Sequence, residues 1–351
     1  MSADPINDAK KPGNQPNDEP HTGQDDGSQG KKRKPIVVTT LSGLLQHKFP
    51  EREPVLAPVF NLGSLNMIFA RRGIGKTYAA LYIAYAAASG GEVWGWKASR
   101  PFKTLYIDGE MPGAAIQERL AAIVTASDEE PSEDFFKLIT IDMNDGRMPD
   151  LSALGGQSDI EPYCLDAEVI VIDNLSCLCR SGRENDSESW YSIGEWALRM
   201  RSLGKCVLFV HHAGKDGNQR GNSKKEDVLD LVIELKRPAD YDSNEGARFI
   251  VAFSKHRHLV GDDAQSIEAK LETIDGKRVW STQTMAESTY EQCIELACLD
   301  LSVADIAAEL AVHKSSVTRH LKRAVEEGRI TSYAKGKPGK KNQRQRADVD
   351  G

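Results

Sequence analysis

The sequence predicts an α/β fold, in which a mostly parallel sheet is flanked by helices, followed by a small helical domain. Apolar and amphipathic runs alternate between residues 36 and 285, which is typical of strands joined by helical crossovers. The run 169–173 is apolar until its final Asp, as expected for a strand buried on both faces. A strand, a glycine-containing turn and a helix follow one another over 65–88. These three observations together indicate the fold class.

Composition sets the domain organisation. The chain has 351 residues, which is enough for two domains of ordinary size. Residues 1–34 are rich in Pro, Gly, Asn and Asp, so we predict that they are disordered. The α/β domain is predicted over 35–285, the helical domain over 286–335, and a basic flexible tail over 336–351.

The compartment is predicted from what the chain lacks. No apolar stretch approaches the ~20 residues that span a bilayer, and the N-terminus has no signal-peptide pattern. Of six cysteines, only Cys177 and Cys179 are close in sequence. A zinc site would need a second pair, so free thiols are the better interpretation. We expect a cytoplasmic protein that is not associated with a membrane.

The individual elements follow from periodicity. Strands are predicted at 65–69, 104–108, 137–141, 169–173, 206–210, 230–235 and 248–254, and helices at 78–88, 111–126 and 187–203. A hairpin is predicted over 271–280, because Asp275-Gly276 is a typical two-residue hairpin turn. These late strands indicate an antiparallel extension of the sheet.

The turn at 70–77 reads Ala-Arg-Arg-Gly-Ile-Gly-Lys-Thr. It matches the phosphate-binding pattern G-x-x-x-x-G-K-[ST] except for Ala70, and alanine still permits close phosphate approach. Backbone amides and the following helix N-terminus would bind ATP, with Lys76 on the β/γ-phosphates and Thr77 on Mg²⁺. An unrelated glycine-rich turn is the alternative. The predicted nucleotide contacts are Ala70, Arg71, Arg72, Gly73, Ile74, Gly75, Lys76, Thr77 and Tyr78.

Two acids at strand ends complete a phosphoryl-transfer site. Asp173 ends the most apolar strand and is predicted to bind Mg²⁺ directly or through water; an exposed acid at a strand end is the alternative. Glu110 follows the strand 104–108 and is predicted to activate the attacking water. We favour Glu110 over Asp108 because Gly109 lets the chain turn toward the site first. A solvated helix cap is the other interpretation of Glu110.

Further candidates follow later strands. His211 and His212 come directly after 206–210, where a polar group can sense the γ-phosphate, although a packing role is also expected for one of them. Lys255 and Arg257 end another strand and share a face. In a ring they would reach a neighbouring subunit's nucleotide, with Arg257 as an arginine finger. A surface charge pair is the alternative.

Charge distribution predicts a nucleic-acid partner. The net charge is −7, yet residues 313–346 hold eleven Lys and Arg against only two Glu. Such a segment is typical of phosphate-backbone binding, and a solvated basic tail is the alternative. The glycine-rich loop 214–225 is either a DNA-contacting segment or an ordinary surface loop. Its candidate contacts are Lys215, Arg220, Lys224 and Lys225.

The C-terminal part predicts a winged helix-turn-helix. Helices are expected at 290–299, from about 303, and at about 315–327, the last with Val317, Leu321 and Val325 inward. A strand at 329–333 and a basic wing tip at 335–341 would follow. A plain three-helix packing module is the alternative. The predicted DNA contacts on the last helix are Lys314, Ser315, Ser316, Arg319, Lys322 and Arg323.

Taken together, the motifs resemble the RecA/DnaB-type ATPases, and within them the RepA-like hexameric replicative helicases of IncQ-type plasmids. The resemblance covers about 50–285. It rests on the 70–77 loop with its leading alanine and on the segments 106–112, 172–176, 211–215, 220–223 and 255–257.

This resemblance implies a RecA-like P-loop NTPase core that forms a hexameric ring. It also implies ATP hydrolysis between subunits and single-stranded DNA in the central channel. It maps the catalytic glutamate to Glu110 and the finger to Arg257, with Lys255 as its neighbour, and His212 looks the closer match to the sensor. The helix-turn-helix lies outside the resemblance and would bind duplex DNA. An ATP-dependent helicase or translocase of plasmid or prophage replication is expected; an ATP-switched DNA-binding regulator or a purely structural DNA-bridging protein are alternatives.

Overall fold

A computed structural model describes residues 36–49, 52–180, 187–213, 227–238 and 240–334, with the backbone alone for 187–189. The predictions for 1–34, for the loop 214–225 and for the basic tail and wing tip lie outside these residues. Within 36–49, helix α1 (Leu41–Gln46) begins after Thr40, whose hydroxyl accepts a hydrogen bond from the Gly43 amide. No helix among the described residues combines the length and apolarity needed to cross a membrane.

The rest of the described chain alternates strands and helices. The strands are β1 (Pro54–Leu56), β2 (Phe60–Asn61), β3 (Leu65–Ala70), β4 (Glu92–Val93), β5 (Trp96–Lys97), β6 (Thr104–Asp108), β7 (Phe136–Thr140), β8 (Val169–Asp173), β9 (Cys206–His212), β10 (Leu231–Lys236), β11 (Arg248–His256), β12 (Ile267–Ile274) and β13 (Lys277–Thr284). The helices are α2 (Lys76–Ser89), α3 (Gly113–Ala126), α4 (Leu154–Asp166), α5 (Leu175–Leu178), α6 (Ser187–Ser202), α7 (Met285–Cys298), α8 (Val303–Glu309) and α9 (Lys314–Glu326).

The main sheet has the order β13-β12-β11-β10-β3-β9-β8-β6-β7. Strands β10, β3, β9, β8, β6 and β7 are parallel, whereas β11, β12 and β13 extend the sheet antiparallel. The predicted mostly parallel sheet with a late antiparallel extension is therefore confirmed. Strand β9 lies between β3 and β8, so the phosphate-binding turn and Asp173 are one strand apart.

The sheet is covered on both faces. Successive residues of β3 belong to opposite cores: Met67 packs with residues of α4 and α6, and Ile68 packs with residues of α2. Double burial explains why the central strands read as continuous apolar runs instead of alternating ones. These two cores hold the strand ends in fixed positions.

Several element boundaries differ from prediction, and local chemistry explains the two helix starts. Helix α3 begins at Gly113 instead of residue 111, because Pro112 before it is extended. Helix α7 begins at Met285 instead of residue 290, since Thr284 and Glu287 form a reciprocal capping box. Strand β9 continues through His212, so both histidines belong to the strand itself.

The hairpin turn is confirmed. Asp275 and Gly276 have φ values of 50° and 77°, and they join β12 to β13 in the register Ile274↔Lys277. Positive φ at both central positions is the requirement that makes Asp-Gly a hairpin signal.

The C-terminal helices pack around a small core of their own that includes Ile306, Val317 and Leu321. Val325 was predicted to face inward but is 38% exposed, whereas Ala324 is fully buried. At about 100° per residue, position 324 returns to within about 20° of Val317 and position 325 is about 80° away. The strand predicted at 329–333 does not form, since the described residues there have no ladder partner.

A buried ion network joins the antiparallel strands to α7. The Arg248 guanidinium donates to Glu268 on β12, and to Glu245 and Asp240 in the preceding loop at 3.0 and 2.9 Å. Glu268 also accepts from the Ser288 hydroxyl on α7. The Glu268 side chain is only 4% exposed, so Arg248 compensates a charge that water cannot reach.

We expect Arg248→Met to lower the free energy of unfolding by about 3–5 kcal/mol, because it leaves the buried Glu268 carboxylate uncompensated. Urea denaturation measures this. Arg329→Met is the matched control, since Arg329 pairs with Glu291 on the surface and should change stability little. Equal losses in the two variants would contradict the interpretation.

Candidate active site

Four parallel strands end at one edge of the sheet. Ala70 on β3 pairs with His212 on β9, and Asp108 on β6 pairs with Asp173 on β8. The carboxyl edge of a parallel sheet is where such folds bind ligands. A cavity of about 910 Å³ lies there, and its lining includes Arg72, Gly73, Ile74, Gly75, Lys76, Thr77, Tyr78, Glu110, Asp173, Asn174 and His212.

The phosphate-binding turn depends on its glycines. Gly73 and Gly75 have φ values of 78° and 119°, which residues other than glycine rarely adopt. A Cβ on Gly75 would also lie 3.3 Å from the Phe249 ring. Gly75 is the N-cap of α2, so the turn directs the first free amides of that helix into the cavity.

Lys76 lies within its own turn. It is 6% exposed, and its Nζ donates to the carbonyls of Ala70 and Arg71 at 3.2 and 3.1 Å. Burial lowers the pKa of Lys76, while the carboxylates of Asp173 and Glu110 oppose that shift. Ala70 and Arg71 therefore contribute carbonyl oxygens that hold the lysine, and they do not line the cavity.

Asp173 is fully buried at the end of β8. It accepts hydrogen bonds from the Tyr106 hydroxyl at 2.7 Å and from the Thr77 hydroxyl. Burial raises the pKa of Asp173 to about 6, against the effect of these two hydrogen bonds. At neutral pH the ionised carboxylate is desolvated, and a cation beside it would stabilise that charge.

Asp173 and Thr77 fit a Mg²⁺ site. Mg²⁺ takes hard oxygen ligands, commonly one or two from protein and the remainder from phosphate and water. A buried carboxylate whose pKa is raised by desolvation, in contact with a hydroxyl at the mouth of a phosphate-binding turn, is such a donor set.

Glu110 and Asp108 have different environments. Asp108 is 1% exposed, and its carboxylate accepts from the amides of Glu110 and Met111 at 2.9 and 2.7 Å. It therefore stabilises the turn after β6. A Cβ on Gly109 would lie 2.8 Å from the Leu178 side chain, so glycine permits this turn to pass close to α5. Glu110 is left with a half-exposed carboxylate on the cavity wall.

The structure separates the two histidines. His212 lines the cavity, and its Nε2 lies 3.5 Å from Glu110 Oε2 and 3.3 Å from Asn174 Nδ2. Burial, followed by the charge of Lys76, lowers the pKa of His212, which favours a neutral ring at pH 7. His211 is buried and does not line the cavity.

A second wall faces the phosphate-binding turn. Arg237 donates to the Gly73 carbonyl at 2.7 Å, and its guanidinium lies 3.5 Å from the Tyr241 ring centroid. The Tyr241 hydroxyl in turn donates to the Gly246 carbonyl at 2.7 Å. Loop 241–246 is thereby connected to the turn through one arginine.

Aromatic and cationic groups also line the cavity around Tyr78. The Arg119 guanidinium lies 4.3 Å from the Tyr78 ring centroid, and Arg278 donates to the Tyr78 hydroxyl at 3.2 Å. Both arginines line the cavity. The cavity therefore combines a phosphate-binding end with a wall that can stack on a planar group.

Lys255 and Arg257 do not line this cavity. Lys255 lies near the end of β11, and Arg257 follows that strand. The Arg257 guanidinium donates to the Asp227 carbonyl at 2.8 Å and lies 3.6 Å from the Asp230 carboxylate. Neither side chain therefore lies where it could contact a nucleotide bound in this cavity.

The predicted DNA contacts on α9 divide into two groups. Lys314, Arg319 and Lys322 have no ion-pair partner within the described residues. Arg323 instead pairs with Glu327 at 2.7 Å and lies 4.5 Å from the Tyr290 ring centroid. Ser315 is exposed and Ser316 is partly exposed. The predicted contacts Lys215, Arg220, Lys224 and Lys225 lie outside the described residues.

Sequence reasoning missed several residues of the site. Asn174 could have been predicted because it adjoins Asp173, and Tyr106 could have been predicted because it lies two residues before Asp108. Arg119, Arg237, Tyr241 and Arg278 line the cavity from elements distant in sequence, and no local pattern identifies them.

The fold and this site define a RecA-like P-loop ATPase. The family model AAA_25, described as an AAA domain, matches residues 32–218, just over half of the chain. The chain belongs to this family. No curated protein sequence matches it significantly.

Solved structures with a related shape include two archaeal proteins. The KaiC-like protein PH0186 from Pyrococcus horikoshii OT3 has 14% identity and a TM-score of 0.41, with 67% of this chain and 99% of that chain covered. The flagellar accessory protein FlaH from Methanocaldococcus jannaschii has 11% identity and a TM-score of 0.43, with coverages of 65% and 92%. Similarity at this level is loose.

We expect Lys76→Ala to weaken binding of ATP with Mg²⁺ by roughly 10- to 150-fold, the equivalent of about 1.5–3 kcal/mol for the loss of hydrogen bonds to charged groups. Isothermal titration calorimetry measures this. Lys137→Ala is the control, since Lys137 pairs with Asp166 and does not line the cavity. Unchanged affinity in Lys76→Ala would contradict the site.

Proposed function

We propose that this chain is a Mg²⁺-ATP-dependent DNA helicase or translocase of plasmid or prophage replication, working as a hexameric ring. The observation that carries the proposal is that one chain combines a cavity lined by the phosphate-binding turn, Glu110 and Asp173 with α9 cations that have no ion-pair partner among the described residues. ATP hydrolysis provides free energy, and a DNA-binding face provides a substrate on which that energy can do mechanical work.

Each group of the cavity has a role in hydrolysis. The amides of the turn and the Lys76 ammonium hold the β/γ-phosphates, and Thr77 and Asp173 hold Mg²⁺. When bound, Mg²⁺ neutralises charge on the phosphate oxygens. Glu110 accepts a proton from the attacking water, and His212, 3.5 Å from it, lies where it can contact the γ-phosphate.

Arg257 supports a ring. An arginine that is 49% exposed, held near Asp230 and outside its own subunit's cavity can neutralise transition-state charge only in a neighbour's site. Lys255 would accompany it. Hydrolysis would then take place between subunits, with single-stranded DNA in the channel that they surround.

Helices α8 and α9 support DNA binding. The four-residue connection 310–313 joins them, and α9 buries Val317 and Leu321 against α7 and α8. Arg319 and Lys322 lie on the opposite, exposed face, and Lys314 is exposed in the first turn of the helix. We assign these helices as a helix-turn-helix with α9 as the recognition helix. Arg323 is a weaker candidate than predicted, because Glu327 neutralises it.

Glu110→Gln should retain nucleotide affinity and lower the hydrolysis rate by roughly 10²- to 10⁴-fold, since it removes the proton acceptor. A phosphate-release assay with and without single-stranded DNA measures the rate. Glu118→Gln is the control, because Glu118 lies on α3 and does not line the cavity. Normal turnover in Glu110→Gln would remove the assignment.

A forked-duplex unwinding assay, coupled to size measurement with ATP and single-stranded DNA, tests the helicase. ATP-dependent strand separation by a hexamer is the expected result. The cationic face of α9 also favours a second function, an ATP-switched DNA-binding regulator without unwinding activity. Turnover and duplex binding without strand separation would favour that regulator over the helicase.

Replacing Lys314, Arg319 and Lys322 by Ala should weaken duplex binding and reduce the salt slope of log K by about one for each phosphate that is no longer neutralised. Fluorescence anisotropy across a salt series measures this. Arg329→Ala is the control, since its charge is neutralised by Glu291. A salt slope equal to that of the wild type would exclude this face of α9 as a DNA-binding surface.

A further inference from the structure

Asn174 lines the cavity, and the proposed roles in phosphate binding, Mg²⁺ binding and water activation do not include it. It directly follows Asp173 at the carboxyl end of β8 and is 1% exposed. Its side chain lies between Glu110 and His212. A buried amide in such a position has to satisfy both of its ends.

The orientation of the Asn174 amide is determined by α5. Asn174 is the N-cap of that helix, and its Oδ1 accepts from the Cys177 amide at 3.2 Å. An amide oxygen accepts and an amide nitrogen donates, so the cap directs Nδ2 toward the cavity. There Nδ2 donates to Glu110 Oε2 and lies 3.3 Å from His212 Nε2.

Glu110 has little else to hold it. Its side chain is 51% exposed. Within the described residues, the contacts of its carboxylate are the hydrogen bond from Asn174 and the approach of His212. A half-exposed glutamate samples several rotamers and loses entropy when one is selected. The rigid, buried amide of Asn174 selects one.

We infer that Asn174 is a positioning residue for the water-activating carboxylate, an inference that rests on the proposed function. By holding Glu110 Oε2, it leaves Oε1 to receive the water proton. The water oxygen bonds to the γ-phosphorus, the bond from that phosphorus to the bridging oxygen breaks, and ADP leaves with the electron pair. The amide acts through Glu110 and does not touch the reacting atoms.

Two substitutions separate positioning from capping. Asn174→Ser and Asn174→Asp both retain a side-chain oxygen that can cap α5, and both remove the Nδ2 donor. Serine is neutral, so it controls for the charge that aspartate adds. We expect kcat to fall by roughly 100-fold in both, as for a displaced reacting group. The KM for ATP should stay within about threefold, and the unfolding midpoint should be close to that of the wild type.

The decisive measurement is a double-mutant cycle with Glu110→Gln. If Asn174 acts through Glu110, Asn174→Ser added to Glu110→Gln causes no further loss of kcat. A merely structural side chain would lower kcat by the same factor in both backgrounds, and that result overturns the inference. Loss of cooperative unfolding in both Asn174 variants also overturns it, since the side chain would then serve the fold.

The two proposals fail in different ways. If the wild type does not hydrolyse ATP, or Glu110→Gln does so at the wild-type rate, the proposed function is wrong and the inference is wrong with it. If Glu110→Gln is inactive while Asn174→Ser and Asn174→Asp retain the wild-type kcat, the inference alone is wrong.

Discussion

The register of four parallel strands is the constraint on which the site depends. The backbone ladders place Ala70 beside His212 and Asp108 beside Asp173. Side chains alternate along a strand, so a slip of one residue would turn Asp173 or His212 to the opposite face. Packing on both faces opposes that slip, because each side chain would move to the other core, where the space does not match its shape. The two cores therefore fix the positions of the site residues by fixing the register of the strands.

Desolvated charges in the cavity balance one another. Lys76, Asp173, Glu110 and His212 lie around one space, and burial opposes ionisation of the lysine and of the aspartate. The mutual attraction of Lys76 and Asp173 offsets part of this cost. A nucleoside triphosphate with Mg²⁺ would supply counter-charges, the phosphates for Lys76 and the cation for the carboxylates. Such a site is preorganised to bind a strongly charged ligand, since its dipoles and charges are already oriented.

The antiparallel extension connects the site to the rest of the molecule. Arg237 links the phosphate-binding turn to loop 241–246, and Arg248 holds Glu245 of that loop and Asp240 just before it. Arg248 also contacts Glu268, which accepts from Ser288 on α7. The strands that lie outside the parallel sheet thus join the cavity wall to the first of the C-terminal helices.

Local sequence determined much of this protein. The phosphate-binding turn, the apolar strands and the Asp275-Gly276 hairpin were predictable, because each depends on a few adjacent residues. Errors arose where a neighbouring residue with a stronger effect was overlooked. The Thr284 capping box starts α7 earlier than predicted, and Ala324 is buried in place of Val325. Asn174 adjoins Asp173 and the resemblance already favoured His212 over His211, but only the tertiary structure brought Arg237 and Tyr241 to the cavity. Those placements depend on strand order, register and burial, which are properties of contacts between distant segments.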